Sequence, residues 1–465
     1  MPGLTKKEFL NTPEGKIRRY CYNKQYELII KLPIGLKSKN SFKKNEKENF
    51  KKQILKKLKK QKRRAFRGKI YMEITFTTKI DNQVHIHTLS KNYLDLLKNI
   101  IYKDDSQIAI LSVKHKLVEN EVFDSLIKDL ILSSNDSILN NLFLENQNIV
   151  KSENFKESIE IRALSLNKFI ENFLIAYSLY NELKDKFQAK DILTDLVEEI
   201  YNKIFDYEDI MFNFHLFFNL FKDLLSILCI FKKNKNNAKF INEIKNNLRK
   251  FYSEIQLTNF TRLNLETINL LLTKNWNILE LCKKIRYNLI EVDILDIKKS
   301  ISKRQIKNQV QNQLKHLKDK FQKNFNIQFP LNIPICLTIF VSRSFINKSK
   351  IDLDNLVSEA IIKPILTIVQ PPAVLRLNWE KFKPLIEKLL PSLKDKYFTL
   401  LDSLNKHSKR TMIRSYIIFS INNENFPKNK IYFFFNYLRD DFSLLNTLDS
   451  IVYKAINYLD ENFCF

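Results

Sequence analysis

The chain has 465 residues, with 78 Lys and Arg against 51 Asp and Glu, for a formal net charge of +27. Its only glycines are Gly3, Gly15, Gly35 and Gly68, so no Gly-rich phosphate cradle, dinucleotide turn or nucleophile elbow exists beyond Gly68. The charge favours a polyanionic partner, most simply nucleic acid, over the bland alternative of a solvated basic surface.

Taken in chain order, YELIIKLPI (26–34) reads as a strand and ENFKKQILKKLKKQ (48–61) as a basic amphipathic helix with Phe50, Ile54 and Leu58 on one face. KIYMEITF (69–76) reads as a second strand, and VHIHT (84–88) alternates in a way that puts His85 and His87 on one strand face. From Lys69 to Phe329 there is neither Gly nor Pro, which predicts mostly α-helix from about Leu117 to Tyr287, clearest at 167–187 and 191–210. Near the other end the same order returns: strand NLIEVDIL (288–295), helix RQIKNQVQNQLKHLKDKF (304–321) with Ile306, Val310, Leu314 and Leu317 aligned, and strand IPICLTIF (333–340). Leu28–Phe76 and Ile290–Phe340 are nearly equal in length, which reads as an internal duplication.

The five cysteines form no C-x-x-C, arguing against a zinc site or a disulfide framework. The first twenty residues hold no signal-peptide core, and the most apolar stretch, Leu216–Phe231, is broken by Lys222 and Asp223. The expectation is a cytoplasmic, nucleoid-associated protein with no membrane partner.

After the second strand of the C-terminal unit comes KIDLDNLVSEAI (350–361). Asp352 and Asp354, two apart at a helix entry, project to the same side of an extended segment and can share a hard cation such as Mg²⁺. The plainer reading is that Asp354 or Asn355 caps the helix.

The element order, D-L-D-N-L (352–356) and K-D-D-S-Q-I (103–108) together resemble the RusA family of Holliday-junction resolvases. The resemblance covers roughly 26–116 and, less fully, 288–366. It implies an α+β protein in which two RusA-like α/β units flank a long all-helical insert. The units are an N-terminal extension (1–25), unit 1 (26–116), the insert (117–287), unit 2 (288–370) and a segment completing unit 2 (371–465). It further implies Mg²⁺ or Mn²⁺ as cofactor, branched DNA as partner in recombination and repair, and a pseudo-dimer within one chain, with further homodimerisation open.

Each copy departs from the family pattern. In the first, His85, His87 and Thr88 replace D-x-D-N, while Lys91, Asp95, Lys103, Asp104 and Asp105 agree. In the second, Asp352, Asp354 and Asn355 are present, but Ser358 takes the lysine position and VQPPAV the K-D-D region. Three explanations stay open. Asp352 and Asp354 meet Asp104 and Asp105 in a composite metal-binding site, with Lys91 stabilising developing charge. Alternatively substitute ligands serve, His85 and His87 with Asp105 around a softer metal, or Asp440 or Asp441 with the aspartate pair. Or the chain binds junctions and has lost cleavage. A helical interaction scaffold is the competitor outside DNA binding.

From Lys43 to Lys69 there are fourteen Lys and Arg and two acids. In the family the equivalent helix belongs to the DNA-binding face, which nominates Lys56, Lys57, Lys59, Lys60, Lys62, Arg63, Arg64 and Arg67 for phosphate contacts. A solvated helix face or a disordered basic linker is the alternative.

Overall fold

A computed structural model describes residues 5–78, 82, 84–117, 156–184, 290–293, 303–325, 329–331, 335–344, 353–369, 412–421, 426–427, 430–436 and 443–463. Two N-terminal helices, α1 (Lys6–Phe9) and α2 (Pro13–Lys24), precede β1 (Leu28–Pro33), α3 (Lys44–Lys60), β2 (Ile70–Thr78), α4 (Ile86–Leu97), β3 (Ile108–Leu117), β4 (Ser158–Ser165) and α5 (Leu166–Lys184). Then come β5 (Ile290–Asp293), α6 (Lys303–Phe325) and β6 (Ile335–Ser342). Helix α7 joins Leu353–Asn355, a π-helical stretch Leu356–Ile362 and Lys363–Ile365, and β7 (Ile413–Ile421), β8 (Lys430–Asn436) and α8 (Leu444–Phe463) follow.

The eight strands form one mixed sheet in the order β1-β4-β2-β3-β7-β6-β8-β5. From either edge to the centre, the pattern repeats. An edge strand pairs antiparallel with its neighbour, which pairs antiparallel with β2 or β6, which in turn runs parallel to β3 or β7. Even the irregularities agree, because the parallel register slips by one residue between Ile70 and Tyr71 and again between Ile335 and Cys336. The halves join where β3 and β7 pair antiparallel, from Ile110 opposite Phe419 to Lys114 opposite Ser415.

Both sheet faces are covered, which explains why the central strands are buried almost throughout. On one face Phe50, Ile54 and Leu58 of α3, Leu89, Tyr93 and Leu97 of α4, Ile306, Val310 and Leu314 of α6, and Leu356, Ala360 and Ile361 of α7 share a core with Ile74, Val113, Ile339 and Ile418. On the other, Tyr20 of α2, Phe169 and Phe173 of α5 and Leu448 and Val452 of α8 pack on Tyr71, Ile110, Phe340 and Phe419.

The expectation of an all-helical stretch over 117–287 is corrected at 158–165. Ser158–Ser165 is a strand inserted between β1 and β2, and α5 lies against the sheet. Its Ile159, Ile161 and Ala163 alternate onto one core while Leu164 meets the other; the strict polar–apolar alternation S-I-E-I-R-A of 158–163 is the strand signal, and the long run without Gly or Pro around it favours helix instead. The helix expected at 191–210, and the rest of the expected insert, lie outside the described residues.

Candidate nuclease site

Helix α4 carries much of the expected chemistry, and its start corrects the strand reading of VHIHT. His85 is the extended N-cap residue, and Ile86 and His87 form the first helical turn. Ile86, Leu89, Tyr93 and Leu97 are buried at helical spacing, and that longer period outweighs a three-residue alternation. The two imidazole centroids lie 5.2 Å apart. Burial first, then His85 and Lys363, push His87 down to about 4 against the pull of Glu359.

Midway along α4, Lys91 donates from Nζ to Asn355 Oδ1 at 2.6 Å. The lysine position of the first half therefore meets the D-x-D-N asparagine of the second. Helices α4 and α7 lie side by side over the sheet centre, and Glu359 feels both Lys91 and His87.

Beyond α4, Lys98 forms an ion pair with Asp105 at 2.8 Å. Asp104 caps the turn Asp105–Gln107 by accepting from Ser106 N at 2.8 Å. Hydrogen bonding from the Ser106 side chain first and its backbone N–H second, with Lys98 and Lys69 nearby, holds the Asp104 carboxyl below its usual range against burial. Gln107 accepts from the backbone N–H of Lys103 and Asp104 and donates to the carbonyls of Phe66 and Gly68. The glutamine of K-D-D-S-Q thus fastens the acidic turn to the chain entering β2. The D-x-x-Q spacing of a reciprocal cap is the signal for it in the sequence; Lys98 offers none.

Strand sense decides which motifs share an end of the sheet. The chain leaves β2 at Thr78, and α4 carries it back over 12 residues, about 18 Å at 1.5 Å per residue. Within the first half, His85 and His87 therefore lie at the opposite end from Asp104 and Asp105. β6 runs against β2, because the only reversal between them is the β3–β7 pairing. Its exit, through Ser342 and Arg343, is therefore at the end where β2 begins. Burial and the neighbouring Arg343 lower the Lys69 ammonium while Asp104 pulls it up, so all three share that end. The helical backbone of Leu353–Asn355 follows. Of Asp354 only this backbone is described, and Asp352, Asp440 and Asp441 lie outside the described residues.

Among the described residues no group of three or more His, Cys, Asp or Glu could hold a metal ion. Oxygen donors suit a hard cation, so the carboxylates of the Asp104–Asp105 turn have the chemistry to serve one. The His85–His87 end fits poorly, since Lys363 adds positive charge beside His87.

The basic run is ordered on its helical part. Lys56, Lys57, Lys59 and Lys60 of α3 are exposed, as are Lys62, Arg64 and Arg67 beyond it. Arg63 is the exception, since it donates to the Gln25 carbonyl and lies 5.5 Å from the Tyr26 ring centroid. Helix α6 packs over the same sheet face with Lys303, Arg304, Lys315, Lys318 and Lys323 exposed. None of the described helices is long and apolar enough to cross a membrane.

This is a mixed α/β protein with an acidic turn and basic helices over one sheet face. Residues 34–123 match the family model described as Endodeoxyribonuclease RusA. That span holds α3, β2, α4 and the K-D-D-S-Q turn. No curated protein and no solved structure matches the chain.

Proposed function

We propose that the chain is a RusA-like endonuclease for branched DNA, with one composite site drawn from both halves of the sheet. The observation that carries this reading is the Lys91–Asn355 hydrogen bond, which joins the two half-motifs directly. The repeated strand order and the repeated register slip support treating residues 288–465 as a second, divergent RusA-like unit, so that one chain supplies a pseudo-dimer.

In this reading Asp352, Asp354 and Asp105, with Asp104 close by, hold Mg²⁺ or Mn²⁺. A cation bound there supplies an activated water and neutralises charge on the phosphate. Lys91, oriented by Asn355, presents its ammonium to the charge that develops on the phosphoryl oxygens. Lys98 occupies Asp105 in the free chain and is released toward the phosphate when the carboxylate turns to another partner. Exposed lysines of α3 and α6 contact the DNA backbone without reading sequence.

A second reading, a junction-binding protein that does not cut, is favoured by the engagement of both acids: Asp104 in a cap and Asp105 with Lys98. A labelled four-way junction separates them. Wild type is expected to nick it in Mg²⁺ or Mn²⁺, and Asp354→Asn and Asp105→Asn each to lose nicking at least about 100-fold while binding in metal-free buffer persists. Salt-sensitive binding without nicks selects the second reading. A junction that is neither bound nor nicked removes both readings.

A further inference from the structure

We propose that Tyr22 and Tyr26 stack an unpaired base, which gives the N-terminal extension a binding site for single-stranded DNA. The site goes beyond the cleavage reading and uses no group of the composite site. Tyr22, Tyr26 and Lys168 lie outside the span 34–123 that matches the family model.

Both rings face water, Tyr22 with 55% and Tyr26 with 38% of its surface exposed. They are nonetheless held in a fixed arrangement. The ring centroids lie 5.3 Å apart, edge to face, and the two hydroxyls share a hydrogen bond at 2.8 Å. Lys168 places its ammonium 3.7 Å from the Tyr26 centroid and 5.1 Å from that of Tyr22, while Nζ donates to Asn23 Oδ1 at 3.0 Å. Arg63 approaches Tyr26 as well, 5.5 Å from its centroid, and is anchored by the Gln25 carbonyl. Exposed rings among cations combine the two things that a single strand binds, a π-face for a base and positive charge for phosphate. Every base has such a face, so the contact reads no sequence.

The way α3 ends supplies a second, independent argument. Arg63 N–H donates to the Leu58 carbonyl at 2.9 Å and Lys62 N–H to the Lys59 carbonyl at 3.0 Å, the paired bonds of a Schellman turn. Such a turn needs one left-handed residue, and Lys62 takes that conformation with φ 54°. Glycine is the residue that suits this position, because a Cβ is strained there. The chain carries an exposed lysine instead, followed two positions on by the exposed Arg64. The turn thus commits Arg63 to Tyr26 and leaves a cation in water on either side of it. Positive charge at a strained position is accounted for by a polyanionic partner and not by the fold.

Fluorescence anisotropy in metal-free buffer tests this on the full-length chain with labelled oligothymidylate, an abasic strand of the same length and the four-way junction. Wild type is expected to bind oligothymidylate about 10-fold more tightly than the abasic strand, the worth of one stacked base. Tyr22→Ala should lower affinity for oligothymidylate by about that factor and leave the abasic strand unaffected, and Tyr22→Phe, which keeps the ring, should restore the preference. Lys62→Gly should raise the thermal midpoint and weaken both strands alike. Equal wild-type affinity for the two strands, equal losses on both in Tyr22→Ala, or undiminished binding by Lys62→Gly overturns the inference. Oligothymidylate left unbound while the junction binds also overturns it and leaves the junction reading standing. If neither is bound, both fall.

Discussion

Lys91 Nζ and Asn355 Oδ1 lie 2.6 Å apart although 264 positions separate them in the chain. The bond spans the centre of the sheet, where β3 and β7 bring the two halves together. Replacing the lysine by an isosteric neutral chain, Lys91→Met, removes the positive charge and is expected to lower nicking about 100-fold. Asn355→Ala keeps the charge and loses only its orientation, so a smaller fall is expected. Single-turnover rates measure both, and equal thermal midpoints separate a chemical role from a packing one. A double variant no slower than Lys91→Met places Asn355 upstream of the lysine; additive losses would refute that order.

Gln107 gives a separate test of the acidic turn. It holds the N–H groups of Lys103 and Asp104 and the carbonyls of Phe66 and Gly68 at once. Gln107→Leu leaves these groups to water and lets the turn drift. Misplacement of about 1 Å in a catalytic group can cost about 100-fold, so nicking is expected to fall by roughly that factor with little change in junction affinity. Unchanged nicking would mean that the turn keeps its place through the Asp104 cap and Lys98 without Gln107.

Much of this architecture is legible in the amino-acid sequence, and the exceptions have physical causes. β1, β2 and β6 announce themselves as apolar runs, α3 and α6 as amphipathic helices, and their repeated order suggests the duplication. β4 carries the alternation S-I-E-I-R-A at 158–163, but it is a short signal inside a long run without Gly or Pro, which reads as helix when weighed as a whole. VHIHT misleads because two histidines two apart are as compatible with an N-cap and first turn as with a strand. The convergence of half-motifs is open to guessing but not to derivation: it depends on the antiparallel β3–β7 pairing, and long-range register leaves no mark in a local pattern. Asp104 and Asp105 stand out in the sequence as an acidic pair, yet nothing local reveals the ion pair that Lys98 makes with Asp105.

Charge reversal on α3 tests the proposed DNA face. Lys56, Lys57, Lys59 and Lys60 are exposed along the helix. Removing one phosphate-binding cation is expected to reduce the slope of log affinity against log salt by about 0.9 on duplex arms. Changing these four to Glu should therefore weaken binding uniformly across junction sequences and flatten the salt dependence. Arg63→Ala should instead lower the thermal midpoint, since Arg63 serves Gln25 and Tyr26. An unchanged salt slope in the four-fold variant would exclude α3 from the DNA interface.

Between the central strands and α8 lies the ion pair Lys114–Glu73, at 2.8 Å with side chains only 4% and 3% exposed. Tyr71 donates a further hydrogen bond to the carboxylate. Lys114 and its neighbours hold Glu73 ionised below its ordinary value despite burial. Removing one partner strands a buried charge, so Lys114→Met is expected to cost about 3–5 kcal/mol in urea unfolding. The double variant Lys114→Met with Glu73→Leu, which removes both charges, should recover a large part of that loss. A double variant as unstable as the single one would contradict the stranded-charge account.

Two buried histidines set an acid limit on stability. His115 bonds Thr78 at 2.5 Å and is pushed from 6.5 to about 3 by burial, Arg414 and His85, while His87 is pushed to about 4. Both stay neutral in the folded chain at pH values where the unfolded chain protonates them. Their contribution to stability is thus present above about 6.5 and is lost as pH falls toward the folded values. Each histidine adds a slope approaching about 1.4 kcal/mol per pH unit in that range. Denaturation midpoints are read from pH 8 to pH 5.5, above the ordinary carboxylate value of 4.5; because burial raises the Glu27 carboxyl, the histidine contribution is taken from the comparison with His115→Gln. The expected result is a steady loss below pH 6.5 that becomes shallower in His115→Gln. Equal steepness in wild type and variant would show that His115 is not buried in its neutral form.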